Sequence, residues 1–288
     1  MRGVIPCGTL AVLRRISQMT RKPHRTIEPA LGIDQHNAEI QANAEHWRRK
    51  PVLRRAYAAM YQAVAAHLRD LPPGLLVECG SGIANLKQAI PECITTDLFP
   101  NPWLDRRENV YGLSFSDGSV AGLVLFDVLH HLEYPGAAFR EIARVLAPGG
   151  RVVIVEPAVG LLGRAALGLF HHEPLGLDLE IRWDAPAGWG PSEATYYAAQ
   201  GNAWRIFRNP AFLARLAPLR VREVSYSSAL SWLLSGGYSG PQLYPGFLFP
   251  FLQRVDRLAS RAPALFASRM MAVLEKPGGA SAVPIGPG

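Results

Sequence analysis

"LLVECGSGIANL", residues 75–86, is the stretch that decides the fold. A short apolar run, Leu75 to Val77, stops at a carboxylate, Glu78, and two glycines follow two apart, Gly80 and Gly82. Glycines at the exit of a buried strand mark a tight turn or a point where another group approaches the backbone closely. In an open parallel sheet that point is the carboxyl edge of the strands, where ligands bind. A helix beginning there offers unpaired N–H groups and a positive dipole end to an anion.

Working outward, strands and helices alternate. "CITTD" (93–97) reads as a second strand, ending at Asp97, whose carboxylate can accept two hydrogen bonds from a ribose diol. Asn109–Tyr111 reads as a short third strand and Ala121–Phe126 as an almost wholly apolar fourth. Residues 135–146 form an amphipathic helix with Phe139, Ile142, Ala143 and Leu146 on one face, stopped by "APGG" (147–150). "RVVIVEP" (151–157) is a fifth strand, apolar on both faces. Strands buried on both sides and separated by helices predict a doubly wound, mostly parallel α/β sheet.

Upstream, Tyr57, Tyr61, Val64, Ala65 and Leu68 recur at helical spacing within a helix over about 38–70, closed by "LPPG" (71–74). Beyond Pro157 the rhythm breaks. Residues 158–217 read as helical pieces, and 219–226 and 268–276 as two further strands, seven in all. The expected organisation is a flexible basic arm (1–34), one domain (35–276) and a disordered tail (277–288). The domain comprises a core (74–157), a helical insertion (158–217) and a cap insertion (227–263). Residues 224–253, from the end of the preceding strand into the cap, contain no Asp, Glu, Lys or Arg but carry Tyr226, Trp232, Tyr238, Tyr244, Phe247, Phe249 and Phe251. Such a segment is an ordinary hydrophobic cap or a substrate lid for an apolar acceptor.

Charge restricts the partners. The net charge is +7, and residues 1–55 hold all of it, with eleven Lys and Arg against four acids. The rest of the chain is neutral overall and is no basic nucleic-acid platform, which argues against a nucleic-acid substrate. The arm is either a solvated polar segment or a contact for phosphate, in the lipid of an anionic membrane surface or in nucleic acid. Residues 1–18 make a poor secretory signal, and Met19 is an alternative start. Three cysteines, Cys7, Cys79 and Cys93, suit neither a disulfide framework nor a metal cluster and read as reduced thiols of a cytoplasmic protein. There is no uninterrupted apolar run of membrane-spanning length.

The glycine turn alone fits any nucleoside cofactor. The dinucleotide fingerprint fails, because its third glycine would fall at Asn85. That sets a nicotinamide oxidoreductase aside. The segments "VECGSGIANL", "TTDLFPNPWLD", "LSFSDGSVAGLVLFDVLHHL" and "FREIARVLAPGGRVVIVEP" occur in that order. In this, residues 74–157 resemble the class I S-adenosylmethionine-dependent methyltransferases, the small-molecule group with an L-P-F-x-D-G-S loop and a V-L-H-H-L segment. The resemblance implies a Rossmann-like methyltransferase fold, S-adenosylmethionine as cofactor and methyl transfer to a small acceptor. It implies that Glu78 closes the first strand and that Gly80 and Gly82 lie under the methionine part of the cofactor. Asp97 would hold the ribose, Leu98 would pack on the adenine, Asn109 and Val110 would meet its edge, and Phe126, Asp127 and His131 would lie near the sulfonium and acceptor.

The sequence departs from the pattern at Ala84, Asn109 and Ala121, which keeps open a non-catalytic protein of the same fold. For a hydroxyl acceptor a general base is required. The candidates are His131, His171 and His172 in "FHHEP" (170–174) with Glu173 as an orienting carboxylate, and Asp127, with Glu156 behind them. Each of these also has an ordinary structural reading. No resident metal is expected, because "FHHEP" has no second ligand pair at suitable spacing. The acceptor is expected to be small and apolar or amphipathic, with O-methylation ahead of C-methylation.

Overall fold

Seven strands form a single sheet in the computed structural model, which describes residues 33–170 and 173–278 and only the backbone of 33–37, 169 and 170. They are β1 (Leu75–Cys79), β2 (Ile94–Asp97), β3 (Arg106–Arg107), β4 (Val120–Phe126), β5 (Leu146–Pro157), β6 (Arg220–Ser227) and β7 (Arg269–Glu275). Their order is β3-β2-β1-β4-β5-β7-β6. Pairings among β1 to β5 are parallel, and β7 enters antiparallel between β5 and β6. This is the doubly wound, mostly parallel seven-stranded sheet expected from the sequence.

The core follows from strand alternation. On one face Val77, Leu123, Leu125, Val152, Ile154, Ala272 and Leu274 pack against α3 (Pro135–Val145) through Phe139 and Ile142. On the other, Val124, Phe126, Val153, Val155 and Val273 meet Leu53, Tyr57, Tyr61 and Val64. Those last four belong to α2 (Pro51–His67). Every residue of β4 is buried, which is why its sequence is an unbroken apolar run.

Four expectations are corrected. The long N-terminal helix is two helices, α1 (Ile33–Arg49) and α2, broken at Lys50 because Pro51 restricts the residue before it and starts a new helix. The third strand is Arg106–Arg107, not 109–111. Asn109 instead closes a turn, accepting the N–H of Tyr111 on its side chain (3.0 Å) and of Gly112 on its carbonyl (2.9 Å). The fifth strand starts at Leu146, so "APGG" (147–150) lies inside it and does not separate helix from strand. The short helix expected after the glycines is a single 3₁₀ turn, Asn85–Gln88.

The helical insertion contains α4 (Leu161–Phe170), α5 (Asn202–Ile206) and α6 (Pro210–Leu213). The cap contains α7 (Leu230–Leu233) and α8 (Phe249–Ala259), and α9 (Pro263–Phe266) leads into β7. Asp256 of α8 anchors the cap. It accepts the N–H groups of Leu230 (2.5 Å) and Ser231 (3.1 Å) and the hydroxyls of Ser228 (2.5 Å) and Ser231 (2.6 Å). Most of the arm, the tail from 279, His171 and His172 lie outside the described residues. No described helix is long and apolar enough to cross a membrane.

Candidate cofactor and active site

The parallel pairing of Cys79 with Thr96 sets the ends of β1 and β2 side by side. Glu78 and Asp97 thereby meet across the glycine turn. Gly80 and Gly82 have φ of +74° and +51°, so the turn uses the left-handed region that glycine enters freely. Ala84 adopts φ +57° as well, at a cost glycine would not bear. Ser81, a residue not singled out from the sequence, staples the strands. Its hydroxyl accepts from Thr96 N–H (3.0 Å) and donates to the Glu78 carbonyl (3.1 Å).

Asp97 is buried and accepts the N–H groups of Leu98 (2.7 Å) and Gly82 (3.1 Å). Glu78 is 3% exposed, and its Oε2 is buried without a hydrogen-bond partner. Burial pushes its pKa up to about 8, with Ser81 opposing and the Asp97 charge adding. Leu98 is half-buried beside them. Val110 is buried in the core, and the Asn109 amide donates to the Pro191 carbonyl (2.9 Å), so its side chain is tied to the helical insertion. Phe126 ends β4 under an aromatic group, with Tyr57 and Tyr61 at ring-centroid distances of 5.6 and 5.3 Å. Tyr238 of the cap joins it, 5.3 Å from Tyr57 and accepting a hydrogen bond from Asn85 (3.2 Å).

A second group lies after β4. Asp127, at φ +58°, makes a two-pronged ion pair with Arg269, at 2.5 and 2.7 Å. The Arg269 guanidinium is 3% exposed and lies over the rings of Trp232 (4.7 Å) and Phe126 (5.3 Å). The sequence offers no local sign of this arginine. It reaches the carboxyl edge because β7 runs antiparallel, which sets the first residue of β7 opposite Pro157, the last of β5.

His130 is buried between two carboxylates. Its Nδ1 is 2.6 Å from Glu156 Oε2, while Glu156 Oε1 accepts the N–H groups of Val128 (2.9 Å) and Leu129 (2.5 Å). Its Nε2 is 3.6 Å from Glu173. Burial opposes a charge on His130, but Glu156 and then Glu173 outweigh it and carry its pKa up to about 10. His131 Nδ1 meets the Tyr197 carbonyl (2.9 Å), and its Nε2 lies 3.7 Å from Glu173. Burial and the neighbouring His130 lower the His131 pKa to about 4. Of the expected catalytic residues, Asp127 is engaged by Arg269 and His131 faces Glu173, while His171 and His172 lie outside the described residues. Glu173, Tyr196, Tyr197 and Gln200 of the insertion complete this group, and Gln200 and the tyrosines carried no sequence signal.

Residues 79–154, the end of β1 through most of β5, match the model of a methyltransferase domain. No characterised protein sequence matches the chain closely enough to count as a relative. Among solved structures, the chain is similar to a SAM-dependent methyltransferase from Thermotoga maritima. That alignment has 15% identity and a TM-score of 0.47, covering 82% of this chain and 97% of that one. It is also similar to geranyl diphosphate C-methyltransferase from Streptomyces coelicolor A3(2), with 14% identity, TM-score 0.44 and 76% of each chain covered. A third is the [4+2]-cyclase SpnF, with 13% identity, TM-score 0.42, and 77% and 81% covered.

The sheet order is that of a Rossmann-like methyltransferase fold, and residues 79–154 within it match a methyltransferase domain. A methyltransferase domain implies S-adenosylmethionine as the cofactor. The glycine turn fits that molecule chemically: the acceptors Asp97 and Glu78, one of them with an unpartnered buried oxygen, suit the hydroxyl and ammonium donors of the cofactor.

Proposed function

We propose that the chain methylates a small apolar or amphipathic acceptor, on oxygen in the first instance and on carbon in the second. The observation that carries this reading is the aromatic cover over the carboxyl edge. Trp47, Tyr57 and Tyr61 from the N-terminal helices, Phe126 from β4, and Trp232 and Tyr238 from the cap converge there. Such a wall excludes water and orients an apolar molecule through a few phenol groups. The cofactor supplies a methyl group on a sulfonium, already bonded to a good leaving group, so positioning supplies much of the rate.

In this reading Asp97 holds the ribose and Glu78, Gly80 and Gly82 receive the methionine part. Leu98 and Val110 border the adenine, with Asn109 acting through the turn it closes. Phe126 flanks the methyl group. Asp127 positions Arg269 and does not act as a base. His131 is the group nearest to hand for an acceptor hydroxyl, because its Nδ1 is committed to Tyr197 and its Nε2 points toward Glu173.

The apolar nature of the acceptor also draws support from the cap surface. Leu243, Phe247, Phe251 and Leu258 are 59–79% exposed, and Arg254, Arg257 and Arg261 are exposed among them. An apolar rim with basic residues suits an amphipathic acceptor taken from an anionic lipid surface.

The test is turnover of methyl-labelled S-adenosylmethionine with a panel of hydroxylated apolar and amphipathic molecules, read as label in the product. Label in an ether or ester supports the reading, and label on carbon supports the second form. Transfer confined to polar metabolites or nucleic acid would overturn it.

A further inference from the structure

The side chains around His130 and His131 have the arrangement of a metal centre. Among the described residues, His130, His131 and Glu173 each present a ligand atom, and all three atoms lie within 4.8 Å of one another. The two imidazole Nε2 atoms sit 3.6 and 3.7 Å from the two Glu173 oxygens. Tetrahedral ligands with metal–nitrogen bonds of about 2.0–2.1 Å stand roughly 3.4 Å apart. The two nitrogen–carboxylate separations are thus within a few tenths of an ångström of that spacing.

The surroundings point the same way. Histidines that bind a metal through one nitrogen usually donate the other N–H to a carboxylate or a backbone carbonyl, which fixes the tautomer and the ring. Both histidines do so here: His130 Nδ1 toward Glu156 at 2.6 Å, and His131 Nδ1 toward the Tyr197 carbonyl at 2.9 Å. The carboxylate is oriented too, since Glu173 Oε1 accepts from the Tyr196 hydroxyl (2.8 Å) and Oε2 from the Gln200 amide. These partners come from β5 and from the insertion, so the orientation is built by the tertiary fold.

Two carboxylates, Glu156 and Glu173, enclose His130. With its Nδ1 proton given to Glu156, His130 presents a lone pair at Nε2, 3.3 Å from the Gln200 amide nitrogen. That form is also the one in which an imidazole binds a metal through Nε2. His131 is about one-third exposed, which leaves a way in from solvent.

We infer that His130 Nε2, His131 Nε2 and the Glu173 carboxylate bind one divalent transition-metal cation, of the Zn2+ type, with an open coordination position toward the acceptor. Two nitrogens and one carboxylate with a free position are the donor set of catalytic zinc sites. Metal binding stands on these residues alone. The use of the open position for an acceptor oxygen rests on the proposed methyl transfer, where the cation would take over the role given to His131 alone.

The test uses the full chain, stripped with a chelator and titrated with Zn2+ and then with Co2+. The expected result is one Zn2+ per chain and a Co2+ absorption spectrum of tetrahedral intensity. His131→Ala and Glu173→Gln should each weaken Zn2+ binding at least about 100-fold, the upper range for lost second-shell partners and a minimum for a ligand. His67→Ala, remote from the site, should leave it unchanged. Calorimetry with S-adenosylhomocysteine on the same samples separates the readings. Cofactor binding without Zn2+ binding overturns the metal centre and spares the methyltransferase; Zn2+ binding without turnover does the reverse. Zn2+ affinity unaltered in both folded variants overturns the assignment. Should the variants fail to fold, the wild-type Co2+ complex decides: an octahedral spectrum, or one lacking paramagnetically shifted imidazole resonances from two histidines, overturns it.

Discussion

At the scale of single residues, two carboxylates at the glycine turn behave differently although they sit at the ends of neighbouring strands. Asp97 has both oxygens engaged by backbone N–H groups. Its replacement by Ala removes charge-assisted bonds of roughly 1.5–3 kcal/mol each. S-adenosylmethionine affinity should fall about 10–150-fold, with a drop in melting temperature because Gly82 and Leu98 lose their acceptor. Calorimetry and thermal melts check both. An unchanged dissociation constant would remove Asp97 from the site.

Glu78 is instead raised to about 8 by burial, with Asp97 facing it and the phenols of Tyr61 and Tyr238 nearby. A carboxyl whose folded pKa lies above its unfolded value contributes stability that is full below about pH 4.5 and is lost as pH rises toward 8. The cofactor-free protein should therefore lose stability from about pH 5 to pH 8, and Glu78→Gln should flatten that decline. Melting curves across the range test this; parallel curves for the two proteins would exclude it.

At the scale of elements, the cap is held by a residue outside it. Lys50, at the break between α1 and α2, donates to the carbonyls of Gly237 (2.7 Å) and Gly240. Trp47 stacks on Tyr238 at 6.5 Å from the same side. Lys50→Met should leave two carbonyls unpaired at a cost of about 1–3 kcal/mol each. Hydrogen exchange should then quicken over 230–244 while β4 and β5 stay protected. Equal exchange in wild type and variant would show that the cap is carried by Asp256 and its own packing. Asp256→Ala is the complementary change, and melting temperature should fall, because four donors at the start of α7 lose one acceptor.

At the scale of the whole molecule, the exposed apolar rim of the cap and the arginines of α8 should give affinity for anionic vesicles. Phe251 and Leu258 are seven residues apart, two turns along one helical face, with Arg254 and Arg261 three residues beyond each. Sedimentation with phosphatidylserine-containing vesicles should retain the wild type and release the double variant Phe247→Ser, Phe251→Ser, with neutral vesicles retaining neither. Equal retention on neutral vesicles would mean that basic residues take no part.

The sequence by itself determined strands β1, β2 and β4, the run of β5 from Arg151, and the placing of the glycines and carboxylates at strand ends, because each rests on short-range pattern; the cofactor class came with the family resemblance of residues 74–157. Strand β4 is apolar on both faces, α3 repeats at helical spacing, and Gly80, Gly82 and Asp97 sit at strand ends that any parallel sheet would align. The short β3 was misplaced by three residues, since a two-residue strand has no period and Asn109 resembles a strand start until its side chain closes the turn. Other features belong to the tertiary structure. Arg269 reaches the site because β7 runs backwards through the sheet. Glu173, Tyr197 and Gln200 meet His130 and His131 because the insertion folds back over β4, which brings together groups some 40–70 positions apart. No local pattern encodes such contacts. They are set by which apolar faces must be covered, and the polar groups at the carboxyl edge are carried there with them.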